Sequence, residues 1–175
     1  YRQGRAFARQ HMPGIPTIDA AHRCDLDLGL EDRYVGLLHH WNEAFRERLR
    51  QGAKDWWYAC QGPRGGGYPN RFLDYPLLDS RILFWLSFKE GVDGFLHWGY
   101  NRYYNQLFYI PEPRDPYTVP DMEFTIPGDP MVVYPGQGDT ITGSLRWEQT
   151  LEGQQDYEHL LRLKQLSEAR ADDPS

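Results

Sequence analysis

Two cysteines in 175 residues are too few for a disulfide framework, so the chain is not a small disulfide-stapled fold. It has no apolar run approaching the ~18 residues that a membrane-spanning helix needs. Positive charge is also scarce: 19 Lys and Arg stand against 25 Asp and Glu, a net charge of −6 without a basic cluster. Phosphate contacts need a basic face, so a nucleic-acid partner is not expected. Internal repeats and low-complexity tracts are missing as well. What is present is an ordinary globular composition, 40% apolar and 25% charged, which argues against disorder, collagen and coiled coil. Aromatics are plentiful, with 6 Trp and 12 Tyr, and 17 Gly and 13 Pro supply turns.

The chain opens with Tyr1 inside a helical-looking stretch, which points to a natural start further upstream. Residues 1–12 form helix-compatible sequence closed by Met12-Pro13-Gly14, and residues 15–21 read as a short strand. After a polar connection, residues 33–41 offer a second apolar run and 42–52 a helix with Phe45 and Leu49 at helical spacing. Residues 53–60 make a third strand. The loop 61–72 is too rich in Gly and Pro for regular structure. Residues 77–91 read as a helix whose apolar face is Leu78, Ile82, Trp85 and Phe88, followed by a fourth strand over 92–101. A Pro- and Tyr-rich stretch, 102–130, leads to an extended segment with a turn at Pro135-Gly136. Residues 144–170 form a long amphipathic helix with Leu160, Leu161, Leu163 and Leu166 near its apolar face. The tail 171–175 is expected to be disordered. Strands alternating with helices predict an α/β fold of parallel strands joined by right-handed crossovers. Four such βα units amount to half of a (β/α)8 barrel, here residues 1–170, with two unpaired sheet edges.

No paired metal-ligand spacing links the six histidines His11, His22, His39, His40, His97 and His159, and His22 with Cys24 shares one strand face at best. Neither a metal nor another cofactor is expected. Cys60 alternates with Trp56 and Tyr58 and reads as a small packed residue rather than a thiolate nucleophile. Gly65, Gly66 and Gly67 lack the Lys-Ser/Thr ending of a phosphate loop. Acid/base chemistry wants two carboxylates at a strand end, and none of Asp19, Asp25, Asp27, Glu31, Asp32 or Asp74 has such a partner in such a context. The aromatic strands are the stronger signal. Period-two alternation places Trp56, Tyr58 and Cys60 on one face and Leu96, Trp98 and Tyr100 together on the neighbouring segment. Strand ends of parallel barrels build their sites, and aromatic faces suit a sugar ring, but bulky residues also fill barrel interiors. On the residues alone both readings of Trp56 and Trp98 stand.

Six ordered motifs carry a resemblance over about residues 53–163: Trp56, Tyr58 and Cys60; Asn70, Phe72 and Asp74; Arg81 and Trp85; Gly94, Phe95, Leu96 and Trp98; Gly128, Asp129, Tyr134, Pro135 and Gly136; and Arg146, Glu148, Asp156, Tyr157 and Glu158. In this the chain resembles the C-terminal part of family 123 glycoside hydrolases and their uncharacterised relatives. Two positions depart from that pattern: a family Trp appears as Tyr103 or Tyr104, and the usual Gly-Asp-Gly is Gly128-Asp129-Pro130.

The resemblance implies a (β/α)8 barrel hydrolysing terminal 2-acetamido-sugar β-glycosides, in characterised members as exo-β-N-acetylgalactosaminidases. It implies a substrate-assisted retaining mechanism: the substrate's acetamido oxygen attacks the anomeric carbon, an Asp orients that group, and the adjacent Glu protonates the leaving oxygen. That Asp-Glu pair is expected upstream of Tyr1, so no catalytic residue is assigned within the chain and the rest of the barrel becomes its partner. The substrate-binding candidates are Trp56, Tyr58, Asn70, Trp98, Tyr100 and Asn101. Trp98 is expected under the sugar and Tyr58 at the acetamido group or a hydroxyl. Arg146, Glu148, Asp156 and Glu158 read as an ion-pair and capping network. The expected partner is an N-acetylhexosamine-containing glycan, and the resemblance favours an extracellular or periplasmic location. The alternative from another class is a carbohydrate-binding or scaffold domain of the same barrel that has lost catalysis.

Overall fold

A computed structural model describes residues 2–21, 32–104 and 113–172. The fold is mixed α/β. Helix α1 (Arg2–His11) precedes strand β1 (Ile18–Ala21); β2 (Arg33–Leu37) runs through a 3₁₀ turn into α2 (Glu43–Arg50); β3 (Trp56–Ala59) leads to α3 (Asp79–Glu90) and β4 (Phe95–His97). A hairpin of β5 (Val133–Pro135) and β6 (Ile141–Gly143) then precedes α4 (Leu145–Asp172). The four strands β1 to β4 form one parallel sheet in chain order, with α2 crossing from β2 to β3 and α3 from β3 to β4, as the strand–helix alternation predicts. The strands are shorter than expected, and the turn expected at Pro135-Gly136 falls one step later: Pro135 still pairs with Ile141, and the Gly136 N–H donates to the Thr140 carbonyl. Helix α4 continues to Asp172, into the segment expected as a disordered tail; residues 173–175 lie outside the described residues, as do His22, Cys24, Asp25, Asp27 and Glu31.

The register assigns the two sheet faces. Trp57 pairs with Gly36 on one side and with Phe95 on the other, so these three share the helix-facing side. Trp57 is buried among Leu38, Leu83, Phe84 and Val92, and its indole N–H donates to Ser87 Oγ of α3 at 3.0 Å. Gly36 faces the Phe45 ring of α2, where a Cβ would sit 2.7 Å from Phe45 Cζ, so only glycine lets that helix approach. Trp56 and Tyr58 lie on the opposite face with Val35 and Leu37 and are half-buried.

Helix α2 is fixed at both ends. Asn42 caps it, its side-chain oxygen accepting the Ala44 and Phe45 N–H groups. Near its end Arg48 grips the fully buried Asp55 with two hydrogen bonds, at 2.6 and 3.1 Å, while Asp55 also accepts the Tyr34 N–H of β2. Helix, strand β2 and the start of β3 are thereby tied through one carboxylate.

Two helix faces differ from the hydrophobic reading. In α3 the buried residues are Ser80, Leu83, Phe84 and Ser87, whereas Leu78 is 58% and Trp85 46% exposed. The serines bring the helix close to the sheet, which Leu and Trp at those positions would prevent. Ser87 satisfies itself by donating to the Leu83 carbonyl. In α4 the buried stripe is Arg146, Thr150 and Gly153, and Leu163 and Leu166 are exposed. Gly153 meets Phe84 and the Arg81 backbone so closely that a Cβ would fall 2.6 Å from Phe84 Cδ2. Beside that contact Arg81 forms a two-point pair with Asp156, at 2.5 and 2.8 Å, and Trp85 donates its indole N–H to the same carboxylate.

Trp57→Ala should cost roughly 3–5 kcal/mol of unfolding free energy, because it removes a buried ring and strands no charge. Trp57→Phe should cost less than half of that. Denaturant unfolding of both variants checks this, and equal small losses would place Trp57 outside the core.

Candidate functional site

Parallel α/β sheets build sites at the C-terminal ends of their strands. Here that end carries Tyr58 of β3 with Cys60 just beyond it, His97 of β4 with Trp98 just beyond it, and two long connections: residues 60–73 and the turn-rich segment 113–131. A cavity of about 500 Å³ lies elsewhere, at the opposite end of β4 beside Val92, Asp93 and Gly94, under Tyr157 and Glu158 of α4. It is remote from the aromatic strand ends.

Trp98 is the centre of the strand-end cluster. Its indole N–H donates to Asp129 Oδ2 at 3.1 Å. Phe124 meets its ring edge-on with centroids 6.0 Å apart, and the Arg102 guanidinium lies 5.4 Å from the ring centroid. Asp129 is fully buried, and its other oxygen faces His97 Nε2 at 3.6 Å. His97 Nδ1 lies 3.1 Å from the Gly99 N–H. With the ring proton on Nε2, Nδ1 accepts that N–H and the ring presents a donor to the carboxylate; with it on Nδ1, the Gly99 carbonyl oxygen 2.9 Å away accepts it. Burial first, then the nearby Arg71 charge, pushes the His97 pKa down to about 4. Arg71 is itself 4% exposed and lies over the Phe95 ring at 5.1 Å. Desolvation, joined by repulsion from Arg146, brings the Arg71 pKa down to about 9, with Asp129 opposing.

Tyr58, one strand away, is half-buried, and among the described residues its hydroxyl has no hydrogen-bond partner. Burial pushes its pKa up to about 12, with Cys60 and Asp19 adding to the effect, so it is a neutral donor and acceptor at any ordinary pH. Cys60 is a free thiol whose pKa is likewise raised by burial, in keeping with a packed residue rather than a nucleophile.

The structure brings some of the sequence candidates together and separates others. Tyr58 and Trp98 stand at the C-terminal ends of adjacent strands. Trp56 begins β3, about 10 Å of strand below that end, with its ring against the Gly94 backbone and the Arg33 guanidinium 4.9 Å from its centroid. Asn70 is fully buried and latches the 60–70 connection: its amide donates to the Cys60 and Pro63 carbonyls, both at 3.0 Å, and its oxygen accepts the Arg71 N–H at 2.7 Å. Tyr100 is exposed and packs edge-on against Trp147, while Asn101 bridges to Met131. Tyr103 donates its hydroxyl to the Val133 carbonyl at 2.8 Å. Arg146 does not join an ion pair as expected: its guanidinium donates to the Arg71, Gly128 and Met131 carbonyls and to the Tyr134 hydroxyl.

Asp129, His97 and Arg71 were not legible as a cluster. Gly128-Asp129-Pro130 stands out in the sequence as a motif, yet its partner Trp98 is 31 positions earlier.

His97 has a consequence for stability. Its folded pKa of about 4 lies below the ordinary 6.5, so between those values the unfolded chain binds more protons and stability rises with pH. The contribution is complete above pH 6.5 and is lost as pH falls toward 4. It is on the order of 3 kcal/mol. The difference in unfolding free energy between the parent and His97→Gln, measured from pH 7 to pH 4, should shrink or reverse on acidification, and a pH-independent difference would refute the assignment.

The family described as glycoside hydrolase 123, catalytic domain, matches residues 1–163. Curated protein sequences give no match. Among solved structures, a family 123 glycoside hydrolase from Clostridium perfringens, studied for the details of glycolipid glycan hydrolysis, is similar with a TM-score of 0.56 and 23% identity. The alignment covers 78% of this chain and 23% of that one, so the chain spans about a quarter of that protein's length. With the family matched over nearly all of its residues, the chain belongs to the glycoside hydrolase 123 catalytic-domain family.

Proposed function

We propose that the chain forms the C-terminal half of a (β/α)8 glycoside hydrolase barrel that cleaves terminal 2-acetamido β-glycosides, and that its residues shape the sugar subsite. The observation that carries this reading is the pairing of Trp98, an indole held by its N–H, with Tyr58, a strand-end hydroxyl without a hydrogen-bond partner among the described residues. A fixed aromatic face supports the apolar side of a pyranose, and an unsatisfied hydroxyl beside it suits an acetamido group or a sugar hydroxyl. Tyr100 and Asn101 lie on the segment that continues from Trp98 and form the rim. Asn70 acts through the loop it latches, and Trp56 forms the floor.

In this reading the proton-transfer groups come from outside residues 1–175. The substrate's own acetamido oxygen attacks the anomeric carbon, displacing the leaving oxygen as it takes a proton from the general acid, and water then opens the cyclic intermediate with retention. This is the substrate-assisted exception to the two-carboxylate scheme. Tyr58 holds the acetamido group and Trp98 keeps the ring oriented for attack.

Two measurements test the proposal. An aryl 2-acetamido-β-glycoside should be hydrolysed by the complete natural protein and left intact by the 175-residue chain alone; turnover by the chain that depends on one of its own carboxylates would contradict the placement of the acid. In the complete protein, Trp98→Ala should lower kcat/KM by roughly five- to 150-fold, about 1–3 kcal/mol for the loss of aromatic stacking, a range taken from bases on aromatic platforms. A large loss of thermal stability with kcat/KM unchanged in the folded fraction would make Trp98 a core residue instead. A protein that binds the sugar but turns over no glycoside would favour the binding-domain alternative.

A further inference from the structure

We infer that Asp129 is a positioning residue that sets the orientation of the Trp98 indole at the strand ends, with His97 and Arg71 holding its carboxylate. The inference rests on Trp98 being the sugar platform proposed above, and extends it to a residue that touches no sugar.

A tryptophan ring without a polar anchor has broad freedom about its second side-chain torsion. Trp98 loses that freedom through one hydrogen bond, from its indole N–H to Asp129 Oδ2 at 3.1 Å. The acceptor can hold the ring only if it is itself immobile, and three features make it so. Asp129 is fully buried, and its N–H donates to the Ile126 carbonyl at 2.9 Å. Arg146 clamps the flanking backbone by donating to Gly128 O at 2.7 Å and Met131 O at 2.8 Å. On the other side Gly99 lies against the 129–130 backbone so tightly that a Cβ would stand 2.6 Å from the Asp129 carbonyl oxygen.

The second carboxylate oxygen explains why an acid occupies the position. A buried carboxylate is costly unless charge and donors compensate it. His97 Nε2 faces Oδ1 at 3.6 Å, too long for a hydrogen bond, and neither atom has another partner among the described residues. The compensation therefore includes the field of Arg71, a nearly inaccessible guanidinium whose Nε is likewise without a partner among the described residues. A neutral acceptor could take the indole proton and hold the ring, but it would leave this cation uncompensated at a cost in stability. The ring, the acid and the two bases form one unit that fixes the plane of the indole. A displacement of about 1 Å in a group that orients substrate can cost on the order of 100-fold in rate, which is how a residue that touches no substrate can control turnover.

The experiment uses the complete natural protein with Asp129→Asn, Asp129→Leu, Trp98→Phe and the Trp98→Phe/Asp129→Leu double variant. Asparagine keeps an oxygen for the indole N–H. Its amide then faces His97 Nε2, which can accept once the ring proton moves to Nδ1, where the Gly99 carbonyl lies 2.9 Å away. Asp129→Asn should therefore retain kcat/KM for an aryl 2-acetamido-β-glycoside within about threefold, and Asp129→Leu should lose about tenfold or more, of the order of a hydrogen bond to a charged group. In the Trp98→Phe background, which has no indole N–H to hold, the leucine substitution should change kcat/KM by less than about twofold. Fully additive losses would overturn the proposal and make Asp129 a general support of the loop.

A second readout does not depend on activity. The Trp98 indole ¹H–¹⁵N resonance, assigned by its disappearance in Trp98→Phe, should shift and exchange faster with solvent in Asp129→Leu and stay near its parent position in Asp129→Asn. An unmoved resonance in Asp129→Leu rejects the positioning role. If the resonance moves while Trp98→Ala leaves kcat/KM unchanged, the sugar-platform reading fails and Asp129 stands as an anchor of the indole alone.

Discussion

The structure depends most on a buried cation without a carboxylate. Arg146, in the first turn of α4, donates to the Arg71 carbonyl at 2.5 Å, to those of Gly128 and Met131, and to the Tyr134 hydroxyl. One planar guanidinium therefore joins the connection after β3, the loop that carries Asp129, the β5–β6 hairpin and the last helix. Five donors in a rigid fork suit this task, and a lysine could reach only a subset of these oxygens. Burial lowers the Arg146 pKa, against the pull of Tyr134 and Asp129. The desolvation cost is accepted because the carbonyls it satisfies belong to loops that have no ladder of their own.

Two other arginine pairs look alike on paper and differ physically. Arg81 and Asp156 join α3 to α4 in a geometry as close as that of Arg48 and Asp55, and Asp156 is held down to about 2 by Arg81 and by the Trp85 N–H. Yet Arg81 is one-third exposed, so solvent screens the pair and it adds little to stability. Asp55 has no exposed surface. Removing Arg48 would strand a buried carboxylate, at a cost of roughly 3–5 kcal/mol. The first pair orients two helices already packed through Gly153. The second is a condition for β2, α2 and β3 to come together.

The same contrast explains what the sequence made legible. Alternation in residues 53–60 correctly separates Trp57, turned to the helices, from Trp56 and Tyr58, because a strand face is a local property with period two. The order of strands and helices also reads directly. The faces of α3 and α4 do not, because hydrophobic periodicity selects Leu78, Ile82 and Trp85, or Leu163 and Leu166, whereas α3 buries Ser80 and Ser87, the latter against Trp57, and meets α4 where Gly153 lies on Phe84 and Arg81. Close approach rewards small residues that a hydrophobicity pattern counts as polar or neutral. Motif spacing placed Trp98 and Tyr58 near one end of the sheet. It could not reveal that Asn70 closes a loop, nor that Asp129 meets Trp98 and His97, since those contacts join segments whose geometry is set by Arg146.

The strand ends are thus made rigid by polar groups, not by the sheet. Beyond β3 and β4 the backbone leaves the ladder, and the segment that delivers Phe124 to the Trp98 edge contains two consecutive non-glycine residues in the left-handed region, Met122 and Glu123, with φ of 50° and 61°. Each such conformation costs about 1–3 kcal/mol and persists only where surroundings over-determine it. Here they do: Met122 is fully buried, Asp121 accepts the Glu123 N–H through its side chain, and its carbonyl accepts the N–H groups of Phe124 and Thr125. The strain is held in the same loop system that Arg146 clamps and that ends in Asp129. Loosening the clamp would release the left-handed turn, the edge of Phe124 and the acceptor of the indole proton together, so the orientation of Trp98 depends on contacts that begin at the first turn of α4.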